Sequence, residues 1–341
     1  MQAHGVAYIN SDGNGRGYLG IEGSHTLEKF SNDIAREISD PETKLTAWKR
    51  QQLHEIANAK TPEQREEIRK RADLRIPALG SGSDYTAFLQ HDGVASLNIG
   101  FGGEDGGGIY HSIYDDFYWY THFSDTDFVY GRALAQTGGT AIMRLADADL
   151  LPFEFADFAD TVQTYLKELK TLSQKMQDDI KERNKEIEEG VFKATDDPKH
   201  PLVAPPVEVV PPHLNFAPME NSVDALSRSA AEYRKALEHA NANGGAVLAS
   251  TSLAEVNKLL IETERKLTNP EGLSNRPWFK HQLYAPGFYT GYGVKTVPAV
   301  REAIELKQWK LADEGIVVVS RVLQDEAALI AAAAAKLSGG K

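Results

Sequence analysis

Val6-Ala7-Tyr8-Ile9-Asn10-Ser11-Asp12 decides the fold class. Four consecutive apolar residues followed by the polar and glycine-rich Asn10 to Gly17 read as a buried strand running into a turn. Asp12 therefore lies at the carboxyl end of that strand, where open α/β sheets place their functional residues. Asx residues also form turns of their own accord, so Asp12 reads equally as a turn former. Downstream, Leu27, Phe30, Ile34 and Ile38 recur at helical spacing, and Asp40-Pro41 ends the pattern. The segment from Thr43 to Asp73, rich in Lys, Arg, Glu and Gln, reads as solvated helix and loop without chemistry of its own. Val94-Ala95-Ser96-Leu97-Asn98-Ile99 is a second buried strand. Strands alternating with helices give an α/β class. A chain that opens on an interior strand is expected to lack an earlier part of its domain.

The composition sets outer bounds. A chain of 341 residues, 41% hydrophobic and 25% charged, is that of a globular protein, long enough for about two domains. No apolar run reaches the roughly 18 residues of a membrane span. A formal net charge of -12 argues against a nucleic-acid partner, because phosphate binding requires clustered cations. With no cysteine in the chain, any metal must be held by histidine and carboxylates.

Two further stretches combine small residues with reactive ones. In Leu79-Gly80-Ser81-Gly82-Ser83-Asp84 the glycines allow close backbone approach to a ligand, and Ser83-Asp84 can cap a helix starting at Tyr85. Its spacing is not that of a phosphate-binding loop. Gly106-Gly107-Gly108-Ile109-Tyr110-His111 sets an imidazole beside a sharp backbone turn, ahead of the aromatic cluster Tyr114 to Phe123, and His111 reads either as a hydrogen-bonded structural residue or as a metal ligand. A helix over about Thr126 to Ala148 follows, and Leu150-Leu151-Pro152-Phe153 marks a boundary. Beyond it the chain is mostly helical. Amphipathic patterns cover Tyr165 to Met176, continuing into the charged run to Glu189, then Ser222 to Ala240, Ser252 to Leu267, Val297 to Gln308 and Asp313 to Lys336. The proline-rich Pro198 to Pro218 interrupts them as an extended segment.

Three of these stretches, Val6 to Asp12, Leu79 to Asp84 and Tyr110 to Tyr114, resemble in order and spacing the glutamate carboxypeptidase II and transferrin receptor family of zinc-peptidase-fold proteins. Leu151-Pro152-Phe153, Arg276-Pro277-Trp278-Phe279-Lys280-His281 and Tyr284-Ala285-Pro286 extend the resemblance. It implies that residues 1–152 are the later half of a zinc-exopeptidase α/β/α domain with a mixed sheet. Residues 153–341 would then be an all-α helical dimerisation domain through which the chain forms a homodimer.

The same resemblance assigns roles. Asp12 matches a carboxylate ligand of one zinc ion, His111 an imidazole ligand of the other, and Tyr110 a tyrosine that stabilises the tetrahedral intermediate. Ser81, Gly82 and Ser83 match a substrate-contacting loop, with Ser83 in place of an asparagine. Tyr292 matches a tyrosine that binds the carboxylate of a terminal glutamate, and the neighbouring lysine is Gly291 here. Two arginines that favour acidic dipeptides fall at Asn98 and Gly100. A broader carboxypeptidase, aminopeptidase or dipeptidase preference is therefore expected. The family's first histidine ligand, bridging aspartate, glutamate base and adjoining glutamate ligand would all precede the strand beginning at Gly5. A two-zinc hydrolase needs these groups, so the chain alone is expected to be inactive. The alternative is a non-catalytic dimerisation or binding module, as in the transferrin receptor branch. Family members act mostly on the exported side of a membrane, but no such signal is present in this sequence.

Overall fold

The structure is a computed structural model that describes residues 4–105, 109–197, 199–200, 203–242 and 250–339. The glycine run Gly106 to Gly108, to which the sequence reading gave the turn before His111, lies outside the described residues.

Three strands form a mixed sheet in the order β1-β3-β2. The central strand β3 (Ala95–Gly103) pairs in parallel with β1 (Ala7–Asn10), in a register from Ala7 opposite Ala95 to Asn10 opposite Asn98. Both come from the apolar runs, as expected. On the other side β3 pairs antiparallel with β2 (Gly17–Gly23). That strand was not anticipated: Gly-Tyr-Leu-Gly-Ile-Glu-Gly carries three glycines, which weaken any strand signal. It forms because much of it lies opposite the equally glycine-rich second half of β3, where Gly100, Gly102 and Gly103 stand.

A single turn at His25–Leu27 leads into α1 (Glu28–Glu37), which buries Phe30 and Ile34 as the helical spacing predicts. Next come α2 (Ala47–Asn58), capped by the Thr46 side chain, and α3 (Pro62–Lys70), opened by a capping box between Thr61 and Gln64. Helix α3 buries nothing, in keeping with a solvated segment, but α2 buries Arg50 and Gln52. The aromatic cluster forms the short α4 (Phe117–Phe123), capped by Asp116 and exposed or half-exposed throughout. Helix α5 (Val129–Ala146) buries Tyr130, Ala133, Thr137 and Ala141 and packs on β3 and α1.

Among the described residues the remainder is mostly helical, with an extended segment and one small hairpin. The charged run to Glu189 does not break α6 (Ala156–Glu188), and the short α7 (Val191–Ala194) follows. Residues 203–216 are extended. Asn184 on α6 straps them down with two hydrogen bonds to the Glu208 backbone, 2.7 and 3.0 Å, and Gln177 adds one to the Pro212 carbonyl. Long helices α8 (Ala217–Ala242) and α9 (Ser250–Lys266) lead to a hairpin of β4 (Tyr284–Pro286) and β5 (Val294–Thr296). Then come α10 (Pro298–Glu305) and α11 (Trp309–Leu337). Helix α11 packs along α8 and α9, with Val223, Leu226 and Tyr233 buried in α8 and Val319, Leu323 and Ile330 in α11. No helix among the described residues is long and apolar enough to cross a membrane.

The sheet-bearing and helical parts are joined by specific contacts. Arg71 pairs with Asp157 at 3.0 Å and Asp160 at 2.7 Å, and Arg75 also reaches Asp160 at 2.7 Å. His25 lies 2.7 Å from the Tyr165 hydroxyl, and the Glu154 amide donates to the Thr26 carbonyl. Deeper in, the buried Glu264 of α9 accepts from His281 at 3.0 Å and from the Tyr284 hydroxyl. Burial by itself pushes a carboxyl up, yet hydrogen bonds from His281, Tyr284 and Ser24 hold Glu264 below its ordinary value.

Candidate active site

At the carboxyl ends of the parallel pair β1 and β3, strand register sets Asn10 directly opposite Asn98. The Asn10 amide nitrogen donates to Asn98 Oδ1 at 2.9 Å, to Asp12 Oδ1 at 2.9 Å and to Ser83 Oγ at 3.1 Å. Two amide hydrogens are thus shared among three acceptors. The Ser83 hydroxyl also donates to Asp12, while the Tyr8 hydroxyl donates to Asn10 Oδ1 at 3.3 Å. Asp12 is exposed, so this network aims a solvent-facing carboxylate instead of burying it. Its charge is felt nearby: burial, then Asp12 and Glu22, push the Tyr85 phenol up to about 12.

The loop that supplies Ser83 is built against Tyr292, from the turn between β4 and β5. The Ser81 amide donates to the Tyr292 carbonyl at 3.0 Å. A Cβ on Gly80 would stand 1.8 Å from that carbonyl oxygen, and one on Gly82 would stand 2.6 Å from the Tyr292 ring. Gly82 also has a φ of +104°, a conformation that glycine alone adopts without strain. Small residues are therefore required here by the approach of a second chain segment. Five of the residues singled out in the sequence, Asp12, Ser81, Gly82, Ser83 and Tyr292, thus lie in one contiguous group.

Tyr110 and His111 stack on each other, ring centroids 3.8 Å apart, with both side chains exposed and His111 in the left-handed region at a φ of 62°. Among the described residues no hydrogen bond or ion pair joins them to Asp12. The other acidic and imidazole groups nearby have separate occupations. Glu104 pairs with Arg50 and Arg16, Asp105 accepts from Ser124, His91 bonds to the Trp278 carbonyl and His122 to that of Tyr118.

A zinc site takes three or four His, Asp, Glu or water ligands converging on one point. Among the described residues no group of three His, Asp or Glu is so arranged. Asp12, the one carboxylate in the network, is tied to Asn10 and Ser83. Among the described residues the donor set does not by itself fit a two-zinc centre.

Asp12 also borders an open cleft of about 360 Å³ over β2 and β3, lined among others by Tyr18, Glu22, His54 and Asn98. Among the described residues no lysine or arginine lines it. Asn10 and Glu22 were missed in the sequence. The signal for Asn10 was its place two residues before Asp12, on the same side of an extended strand.

Residues 214–331 match the family of the transferrin receptor-like dimerisation domain. The chain is 29% identical over 308 residues to a probable glutamate carboxypeptidase LAMP1 of Arabidopsis thaliana, covering 89% of this chain and 36% of that protein. A probable glutamate carboxypeptidase of Arthroderma benhamiae is 30% identical over 233 residues, 67% of this chain and 27% of that protein. This chain belongs to the transferrin receptor-like and glutamate carboxypeptidase family. A third relative, the aminopeptidase NAALADL1 of Mus musculus, is 31% identical over 98 residues, 27% of this chain and 13% of that protein. The chain thus spans about a third or less of the length of these family members. The mixed sheet followed by a helical unit agrees with the fold expected of the family.

Proposed function

We propose that this chain contributes one wall of an exopeptidase site of the carboxypeptidase or aminopeptidase type, in which zinc-activated water cleaves a peptide, and that the chain by itself is catalytically silent. The observation that carries this reading is the joining of Asp12 to Ser83, and of the Ser81–Ser83 loop to Tyr292. In this reading Asp12 serves as a metal-facing carboxylate held in place by Asn10 and Ser83. Ser81, Gly82, Ser83 and Tyr292 form the surface against which substrate lies. His111 and Tyr110, exposed and stacked, supply a second ligand and a hydroxyl donor to a site completed by groups beyond this chain's own donor set. Residues 1–152 are the peptidase portion and 153–341 the dimerisation portion.

Two features support a preference that is not acidic. By the resemblance, Asn98 and Gly100 stand where acidic specificity would need cations, and among the described residues the cleft beside Asp12 carries Glu22 and no lysine or arginine. The test is turnover by the purified chain on a panel of dipeptides, with and without added zinc, together with its metal content. No turnover and substoichiometric zinc are expected. Stoichiometric, tightly held zinc with strong turnover overturns the silence of the chain.

A second reading, a non-catalytic module acting through self-association, is favoured by the match of residues 214–331 to a dimerisation domain. It shares with the first the expectation of a homodimer. Sedimentation showing only monomer at micromolar concentration removes that expectation from both.

A further inference from the structure

Beside β2, between it and helices α1 and α2, lies a second cavity of about 380 Å³, a size within the roughly 300–1,000 Å³ of small-molecule sites. Apolar side chains, Leu19, Ile21, Ala35, Trp48, Leu74 and Ile76, share its walls with polar ones. Several of the polar groups are already satisfied. Trp48 donates its ring N–H to Asn32 at 2.6 Å, and Asn32 bonds in turn to the Leu74 backbone. Arg75, the one cation of the lining, is engaged by Glu67, Asp160 and Thr161.

Ser31, Glu22 and Glu55 are left with acceptor capacity. Ser31 is 1% exposed, and its hydroxyl has no hydrogen-bond partner among the described residues. Glu55, half-buried, and Glu22, exposed where the cavity opens toward the cleft, line the same space. Partial desolvation pushes both carboxyls up, opposed at Glu55 by the Gln51 hydrogen bond alone. Glu55 receives only an amide hydrogen from Gln51, at 3.1 Å. A cavity with apolar side chains along its body, two carboxylates without a cation partner, one in its wall and one at its mouth, and a buried unpaired hydroxyl is complementary to a guest with a hydrocarbon stem and a cationic hydrogen-bond donor at its end.

We propose that this cavity binds a primary alkylammonium group, with its stem against Trp48 and Ile76 and its charge taken by Glu22 and Glu55. Gly20, Glu22 and Gln51 also line the cleft beside Asp12, so the two spaces share a wall. The same chemistry can therefore arrive as a free amine or as the lysine side chain of a peptide in that cleft. Neither source depends on the chain being part of a peptidase.

The test is titration of the full chain with pentylamine, pentan-1-ol, pentanoate and N-acetyl-glycyl-lysine amide. Binding is read by calorimetry and by tryptophan fluorescence, with Trp48→Phe identifying the reporting ring. Saturable binding of pentylamine or the lysine peptide is expected, with the alcohol and the carboxylate markedly weaker. Glu22→Gln/Glu55→Gln, which keeps shape and removes charge, should weaken amine binding about tenfold or more. Competition between amine and peptide distinguishes a shared cavity, with the tighter ligand marking the source it favours. Equal binding of pentan-1-ol and pentylamine, an unaltered affinity in the folded double variant, or no saturable binding of either amine overturns the proposal.

Discussion

Gly82 is packed so closely against the ring of Tyr292 that a methyl group added to it would come within 2.6 Å of that ring. Two costs follow for Gly82→Ala: a steric one from the ring, and a backbone one from a φ of +104°. Together they should destabilise the fold by about 1–3 kcal/mol. Tyr292→Ala should relieve the steric part alone. In denaturant unfolding the double variant is therefore expected to lose less than the sum of the two single losses. Strict additivity would mean that the ring and the glycine do not press on each other.

Arg50 is expected to be the most sensitive charge in the sheet-bearing part. It is buried, with Asp40 at 2.8 Å, the Tyr130 hydroxyl at 2.7 Å and the Gly17 carbonyl at 3.2 Å. Burial works against its charge, but the bonds to Asp40 and Tyr130 hold its proton more firmly than usual. Arg50→Met leaves Asp40, 3% exposed, without its ion-pair partner, at a cost of about 3–5 kcal/mol in the free energy of unfolding, read by chemical denaturation. Arg50→Lys should rescue only part of this, because an ammonium cannot reproduce the forked contacts. Full rescue by lysine would show that charge alone matters there.

Stability should fall on both sides of a maximum in pH, for two separable reasons. Burial lowers His25 from 6.5 to about 4, so it is neutral in the fold. Its contribution is complete above 6.5 and lost as pH falls through about 4. Glu326 is fully buried on α11 with both oxygens unpaired among the described residues, and burial raises it well above 4.5. It is therefore a neutral acid in the fold. What it contributes is complete below 4.5 and is lost as pH rises toward its folded value. His25→Gln should flatten the acid limb and Glu326→Gln the other, each by up to about 1.4 kcal/mol per pH unit. The check is urea unfolding across pH 4 to 8, and an unchanged slope in either variant would contradict the assignment of that limb.

The sequence revealed much of this fold and part of its candidate site. Strands β1 and β3 were legible because Val6 to Ile9 and Val94 to Ile99 are unbroken apolar runs, and α1 because Phe30 and Ile34 fall on one helical face. Strand β2 was not: its glycines make sense only opposite those of β3, a nonlocal fact. Helix α2 looked solvated because Arg50 resembles its exposed neighbours in every respect except its partners, which lie in other elements. At the site, glycines and serines marked the Ser81–Ser83 loop as a place of close approach. That the approaching group is Tyr292 was not foreseen, since no local pattern relates two segments so far apart in the chain; the resemblance gave Tyr292 only a part in binding a terminal carboxylate. Asn10, the residue that gathers Asp12, Ser83 and Asn98, carried no signal beyond its place on the strand.

The contacts of Arg71, Arg75 and His25 with α6 have a consequence for how the protein comes apart. Sheet and helices meet through buried or charged groups that each need the other side: His25 needs Tyr165, and the Ser81–Ser83 loop needs the hairpin beyond α9. A chain held together in this way has no seam along which one part melts while the other survives. Thermal unfolding followed by near-ultraviolet and far-ultraviolet dichroism should trace one cooperative transition, and fragments cut near Pro152 should fail to fold unless mixed.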